Sequence, residues 1–481
     1  MTADPGTMPF GKTTYFSAKL LGWSGKLLPS LRQNKYLPTG FGQNIEPFSI
    51  GNPTFAVDIY ARKFQIAGQI ISSTPHEVFT LRLGQADQYS ALFGLDWLRH
   101  FNAAKRSLHD QHAMRLLRYW SKSGNPKRSI TQQLEILSAL ATHGQQIAKR
   151  CELLLQKDFL RIVSIELKIL TSLKPHNAED SVKKALAQFY CFTAFQNPGH
   201  LQAAAQELFD QNIDKIIMPD GGHVSGHVQK LIRFLEFAIP LHRLQSSASM
   251  RCLTSAVTRG IAHIRLLQGQ DGKFSRVLGQ DHQSFDPRLL FEFYGTEICR
   301  PELASNSGFA RLDQGDSTMI AATNTALAIE FFDGTENLFH TKPQVGNQNH
   351  PAQLLSAPQG KALLMSSSSM KRTCFLSADG NDLRVEDEIS GTAQIQTVIQ
   401  ISPTIKLSTL MEGQIIILVS QNKSVWHLRQ RGGNIRIHQT STHNEIVISH
   451  VSSRTNWSLK KQASLVKPSR KKQVTSTELL I

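Results

Sequence analysis

The chain has 481 residues, of which 40% are hydrophobic and 19% charged. At roughly 150 residues per domain this is material for two or three buried cores, and the composition excludes a wholly disordered chain, a collagen and a disulfide-stapled miniprotein. Lys+Arg 53 against Asp+Glu 37 leaves a net charge of +16, which suits polyanionic partners (nucleic acid, anionic membrane surfaces, acidic polysaccharides) and says nothing about fold.

Residues 1–84 read as an arm and lead-in. Up to residue 43, Lys12, Lys19, Lys26, Arg32 and Lys35 stand against Asp4, giving either a solvated leader or an arm that touches an anionic membrane surface. The stretch FSAKLLGWSGKLL is broken by Lys19 and Lys26, so it is not read as a secretory signal core. No apolar run approaches the ~20 residues of a membrane-spanning helix.

Residues 85–304 carry helical periodicity. Leu134, Leu137 and Ala141 keep it, as do Val182, Leu186, Phe189 and Thr193. Leu231, Phe234, Leu235 and Ala238 form a third stripe, which Pro240 is expected to interrupt. Leu253, Val257, Ile261, Ile264 and Leu267 form a fourth. Such faces bury themselves by packing helix on helix in successive hairpins.

Residues 305–459 change to a period of two. CFLSADGNDLRVEDEISG (374–391) reads as strand, Asp-Gly turn, strand, and QIQTVIQI (394–401) alternates again. Trp426 and Leu428 alternate with polar neighbours, as do Ile435 and Ile437, and RGGN (431–434) between them predicts a hairpin turn. These strands predict an antiparallel sandwich. Residues 460–481 hold Lys460, Lys461, Lys467, Arg470, Lys471 and Lys472 against Glu478, and are expected to form a mobile basic tail. Cys151, Cys191, Cys252, Cys299 and Cys374 contain no CxxC pair and read as thiols rather than a disulfide or zinc framework.

Six segments in one order resemble the heparinase II/III-like family of polysaccharide lyases, alphaproteobacterial type. They are ARKFQIAGQ with ALFGLDWLRHFNA (61–103), MPDGGHVSGHVQKLIRFLEFAIPLHRL (218–244), SNSGFARLDQGDSTMIA (305–321), TALAIEFFDG (325–334), FLSADGNDLRVEDEISG (375–391), and WHLRQRGGNIRIH (426–438) with NWSLKK (456–461). The resemblance implies a multidomain α + β chain, an N-terminal (α/α) helical toroid followed by a C-terminal antiparallel β-sandwich. It implies β-elimination on a uronate-containing acidic polysaccharide, and a cell-envelope or periplasmic setting, with a cytoplasmic one left open. That reaction needs the uronate carboxylate neutralised, a base at C5, and an acid for the leaving oxygen.

The chain departs from the family pattern where the chemistry lies. In DGGHVSGHVQKL (220–231), Asp220, Gly221, Gly222 and His223 match, Ser225 stands where an acid is usual, and Lys230 stands at the tyrosine position. RIVSIELKIL (161–170) lacks the Asn-His pair of active lyases, and Thr323 stands where a histidine opens the sandwich. Zinc is possible in the family, but its expected ligands are not found, so no cofactor is expected. The weak match of QNHPAQLL to a histidine-bearing loop adds His350.

The candidate catalytic residues are therefore His223, His227 and His350, with Lys230, Asp220 and Tyr294 for substrate. Each has a plainer reading. His223 suits a backbone-bonded turn, Asp220 a helix cap, and Lys230 a solvated helix face. His223 and His227 share a helix face if the helix starts early. Tyr190 and Trp97 read as core packing. No GxSxG elbow, phosphate-binding loop or specific nucleic-acid motif is present. Three functions stay open: a lyase with a rearranged site, a non-catalytic acidic-glycan binder, and a structural surface of the cell envelope.

Overall fold

A computed structural model of the chain describes residues 37–66, 68–81, 92–123, 128–196, 202–244, 250–278, 290–291, 300–323, 327–342, 352–367, 369–390, 396–411, 414–439 and 443–462. The apolar stripes form helices Ile130–Ala139, Ala178–Ala194, Val228–Leu244 and Arg251–Leu266, which pack with Ser107–Lys122 and Leu153–Ser172. Their starts are chemically marked. Ser129 and Gln132 close a reciprocal capping box, and the Asn177 side chain accepts the Asp180 N–H. Leu134, Leu186, Phe189, Leu231, Leu235 and Ile261 are all at or below 1% exposed.

Two expectations about this half need correction. Residues 37–81 are not merely a lead-in, since Ile45, Ala56, Phe64 and Phe79 are buried in the helical core. Pro240 does not end its helix, which runs on to Leu244. Proline removes one helix hydrogen bond and crowds the turn before it. In that turn the Tyr190 hydroxyl donates to the Phe237 carbonyl at 2.9 Å, so an acceptor there is satisfied from the neighbouring helix.

The β half is two stacked antiparallel sheets of eight strands. The inner sheet runs, edge to edge, 433–439, 444–450, 396–401, 336–341, 328–333, 317–322, 309–314 and 303–304. The outer sheet runs 353–357, 360–366, 370–377, 382–389, 454–461, 425–431, 415–419 and 406–410. Side-chain alternation gives the inner sheet two faces. Leu312, Met319, Ala321, Ile329 and Phe331 enter the sandwich core. Phe309, Ile320, Ala322, Ala328 and Phe332 enter the helical core. Strands Ser317–Ala322 and Ala328–Asp333 are consequently buried at every residue, the pattern expected of a strand covered on both sides.

RGGN is not a hairpin. Strand Val425–Arg431 pairs with 415–419 and 454–461 in the outer sheet, whereas Gly433–Gln439 pairs with 444–450 in the inner one. Gly432, at φ +82°, is the corner where the chain changes sheets. Its carbonyl accepts from Ser452 Oγ and Thr455 Oγ1, and a side chain there would meet the Arg454 carbonyl at 2.6 Å. The Asp379-Gly380 turn does join two paired strands, 370–377 and 382–389. The last strand runs through Lys461, so Lys460 and Lys461 belong to the sandwich and not to a tail; residues 463–481 lie outside the described residues.

Glu330, on the inner sheet and 1% exposed, joins the two halves. It accepts from Ser275 Oγ at 2.5 Å and Arg276 N–H at 2.8 Å on the helical side, and from Asn337 Nδ2 beside it. Burial raises its pKa to about 7, against the lowering effect of those donors. The folded state thus holds a proton on Glu330 that the unfolded chain has lost above about pH 4.5. Its contribution is complete below that pH and declines as pH rises to about 7. The size is on the order of 3 kcal/mol, at 1.36 kcal/mol per pKa unit. Glu330→Gln should flatten the fall in urea midpoint across this window; an unchanged slope would assign the decline to other groups.

Candidate functional site

The MPDGGH segment folds into a tight hairpin. The Gly221 N–H donates to the Met218 carbonyl, the Met218 N–H to Gly222 and the Val224 N–H to Ile216. Both glycines are required. Gly221 has φ +86°, and a Cβ there would lie 2.0 Å from the Arg259 carbonyl on helix Arg251–Leu266. A Cβ on Gly222 would lie 2.4 Å from Ser307 Cβ, at the entry to the sandwich. Asp220 accepts from the Ser307 N–H at 2.7 Å, from Ser307 Oγ at 3.1 Å and from the Gly222 N–H at 3.2 Å. It is therefore a tie between toroid and sandwich rather than a helix cap.

His223 ends this hairpin, 5% exposed. Its Nδ1 accepts the Ser225 N–H at 3.1 Å and lies 2.7 Å from Ser225 Oγ. With Nδ1 an acceptor, the neutral ring carries its hydrogen on Nε2. Burial lowers the pKa of the imidazole, although Glu179 opposes this, so the ring is neutral at pH 7. The following helix begins only at Val228, because Gly226 at φ +71° breaks the chain direction. His223 and His227 therefore do not share a helix face, and His227 is exposed ahead of the helix. Lys230 sits in the helix's first turn.

These residues meet a cavity of about 280 Å³ lined by Thr131, Leu134, Glu179, Val182, Lys183, Leu186, Ile216, His223, Gln229, Lys230, Arg233, Phe234 and Phe237. Most of the wall is apolar; its charges gather at one side. Glu179, placed in the first turn of its helix by the Asn177 cap, pairs with Lys183 at 2.8 Å and Lys230 at 3.1 Å. Burial raises the Glu179 pKa, but the two lysines outweigh it and hold the carboxyl below the usual range. Arg233 pairs with Glu135 at 2.6 Å and Glu236 at 2.9 Å and stacks 4.9 Å over the Phe237 ring.

On the far side of Arg233 and Phe237 lies a second cleft, of about 390 Å³, lined also by Asp96, Arg99, Glu135, His143, Tyr190 and Pro240. His143, on a π-helical turn at 140–144, is pushed down to about 3 by burial and then by Arg99 and His100, and is neutral. The two cavities make one groove in the helical half, with Arg233 and Phe237 in both walls. Among the described residues its lining comes from the helices, the loops between them and residues 47–49, ahead of helix Pro53–Tyr60.

Of the residues the sequence proposed, the structure brings His223 and Lys230 together, places His227 outside their cavity, and turns Asp220 toward the sandwich. His350 and Tyr294 lie outside the described residues. Tyr190 and Trp97 are core, as expected. The Tyr190 hydroxyl is held by Phe237, and burial raises its pKa. The Trp97 indole donates to the Leu92 carbonyl. Glu179, Lys183, Glu135 and Arg233 were missed. Their only signal was the charge at cavity-facing positions of helices that otherwise read as apolar stripes. Thr323 is buried, its N–H donating to the Gly308 carbonyl. Among the described residues no three His, Cys, Asp or Glu side chains converge to hold a metal, so a zinc site does not fit them.

No family sequence model matches the chain, and no curated protein matches it by sequence. Its structure does have matches. A heparinase III shares 11% identity at a TM-score of 0.63, covering 88% of this chain and 86% of that one. The heparan sulfate lyase HepC of Pedobacter heparinus shares 9% at 0.61, covering 86% and 83%. The chondroitin AC lyase of Streptomyces coelicolor A3, in complex with chondroitin sulphate, shares 10% at 0.52, covering 86% and 79%. The helical half followed by two stacked antiparallel sheets is thus the toroid-and-sandwich fold of the heparinase III and chondroitin AC polysaccharide lyases.

Proposed function

We propose that the chain is a polysaccharide lyase acting by β-elimination on an acidic, uronate-containing glycan held in the toroid groove. The observation that carries this reading is the meeting of a neutral imidazole with Lys230 and Arg233 on one cavity wall. A uronate carboxylate entering there exchanges places with Glu179 or Glu135 as partner to the cations. Neutralising that carboxylate acidifies C5–H, the step on which β-elimination turns. The His223 Nε2–H is a hydrogen-bond donor that can stabilise the charge developing on the leaving oxygen, whose proton then comes from water. In this reading removal of the C5 proton falls to a group brought over the groove, with His350, His227 and Tyr294 as the candidates. Asp220 positions His223 through the hairpin.

A second reading, binding without turnover, has its own support. Lys230, Lys183 and Arg233 are already paired with carboxylates, and the described tyrosine on the groove, Tyr190, is committed to Phe237. Ultraviolet absorbance of the unsaturated uronate product, measured over a panel of acidic glycans, separates the two. A lyase generates the chromophore, and a binder shows none while still retaining the glycan.

Given turnover, His223→Ala should lower kcat by about 10²–10³, the range for losing one oriented hydrogen-bond donor at a developing charge, with the melting temperature near wild type. Lys230→Ala should lower kcat as well as raise KM, because the charge it neutralises grows as the C5 proton leaves. Equal loss of kcat and of thermal stability in His223→Ala would reassign the histidine to folding. A chelator should leave fold and turnover unchanged. One equivalent of zinc lost together with activity would show that a metal set exists in the chain after all.

A further inference from the structure

The outer sheet turns one face to the core and the other to solvent. On strands 382–389, 454–461 and 425–431, Leu383, Val385, Trp457, Leu459, Trp426 and Leu428 are buried. Alternation then puts their sequence neighbours outside. That outer face forms an open groove of about 970 Å³. Its cations lie in registered rows. Arg384 and Arg429 both pair with Ser458, one from each side, which separates them by two strand spacings, roughly 9–10 Å. Lys460 stands beside His427 in the next row, and Arg431 beside Asn456 in the row on the other side. Among the described residues no carboxylate pairs with Arg429, Arg431 or Lys460.

We propose that this outer sheet face is a second binding surface for an acidic polysaccharide chain, separate from the toroid groove. The substrate class rests on the function proposed above; the surface does not. The charge repeat of such a polymer, one or more anions per disaccharide, is on the scale of the Arg384-to-Arg429 spacing. The rows also hold acceptors among the cations: Asp382, which pairs with Arg384, Glu386, which pairs with Arg454, and the Asn456 amide. Sugar hydroxyls donate to these groups, whereas a DNA backbone has only acceptors to set against the carboxylates. Stacking platforms for bases are also missing along the face, since Trp457 is buried and Phe375 lies under Arg384 at 5.7 Å. Residues 463–481 are basic themselves, so charge does not favour them as occupants.

The test uses the full chain and a heparin oligosaccharide of defined length, with affinity read by fluorescence anisotropy at several salt concentrations. Arg429→Ala/Arg431→Ala/Lys460→Ala should weaken binding at least tenfold. It should also lower the slope of log affinity against log salt by about 2–3, one counterion-release increment per cation removed. Circular dichroism should match wild type, because these side chains are on the solvent face. If the triple variant does not fold, Arg429→Gln alone should still lower the slope. Three results would overturn the proposal: unchanged affinity and slope; a loss seen only on deleting residues 463–481; or equal binding of single-stranded DNA of matched charge with the same dependence on the three residues. Product absorbance is scored separately. Absent turnover with intact triple-variant dependence removes the lyase reading and leaves this surface standing, and turnover with no such dependence does the reverse.

Discussion

The site depends on how closely the 216–224 hairpin is wedged between two larger bodies. Gly221 lies against the Arg259 carbonyl and Gly222 against Ser307, with no room for a methyl group at either. Asp220 then fixes the Ser307 backbone. Toroid helix, hairpin and sandwich entry are thereby locked at one point, and His223 is the next residue along. A hairpin held on both sides presents its final side chain in one orientation. Ser225 completes this by engaging Nδ1. Glu330 makes a second junction some distance along the inner sheet, where it takes donors from Ser275 and Arg276. The two ties differ in chemistry. The first uses a carboxylate on a partly exposed loop, and the second a carboxyl whose pKa burial raises to about 7.

The charges of the groove are arranged as pairs that a ligand can divide. Lys230 is 46% and Arg233 51% exposed on the side chain, and their partners Glu179 and Glu135 are less so, at 28% and 17%. Exposed pairs of this kind contribute about 0–1 kcal/mol to stability, so their retention is not explained by folding. What they do is hold long cationic side chains in place at the cavity wall. The contrast is Arg372 with Asp387 in the sandwich. There both side chains are 0% exposed, the contact is bidentate at 2.6 and 2.8 Å, and the guanidinium also donates to the Leu327 carbonyl and Thr397 Oγ1. A buried, fully satisfied pair has no capacity for exchange, and losing one partner would strand a charge in the core. The chain thus carries structural and exchangeable ion pairs in different places.

Much of the fold was legible because periodicity records burial. The helical stripes and the alternating strands each fell in the expected half, and the unbroken burial of 328–333 is explained by a sheet covered on both faces. The misreadings share a cause: a local signal was overruled by partners distant in sequence. Gly-Gly at 432–433 has the chemistry of a hairpin turn, yet which strands pair is decided by residues 415–419, 444–450 and 454–461. Pro240 has the chemistry of a helix end, yet packing carries the helix past it, with Tyr190 bonding a carbonyl of that turn. His223 and His227 have helical spacing, but Gly226 adopts a left-handed backbone between them. In the candidate site, the motif that kept its frame was legible, and so was Lys230. Glu179, Glu135 and Arg233 were not, because a charge facing a cavity and a charge facing solvent look alike until the helices are packed.

The architecture also restricts how one ligand could use two surfaces. The helical core borders one face of the inner sheet, and the proposed outer groove lies beyond the other sheet. The separation through the sandwich is at least one sheet-to-sheet spacing, about 10 Å, plus the side chains on each outer face. A short oligosaccharide held in the toroid groove cannot also reach Arg429 and Arg431, and each surface would bind it with its own affinity. A long polymer can run around the edge of the sandwich. Once one stretch is held on the outer sheet, another is presented to the groove at an effective concentration set by the length of the intervening chain. The gain is absent for fragments too short to span and falls off slowly for polymers longer than the span. If both proposed surfaces hold the glycan, the groove in the helical half and the outer sheet would together select for polymer length, which neither surface would accomplish alone.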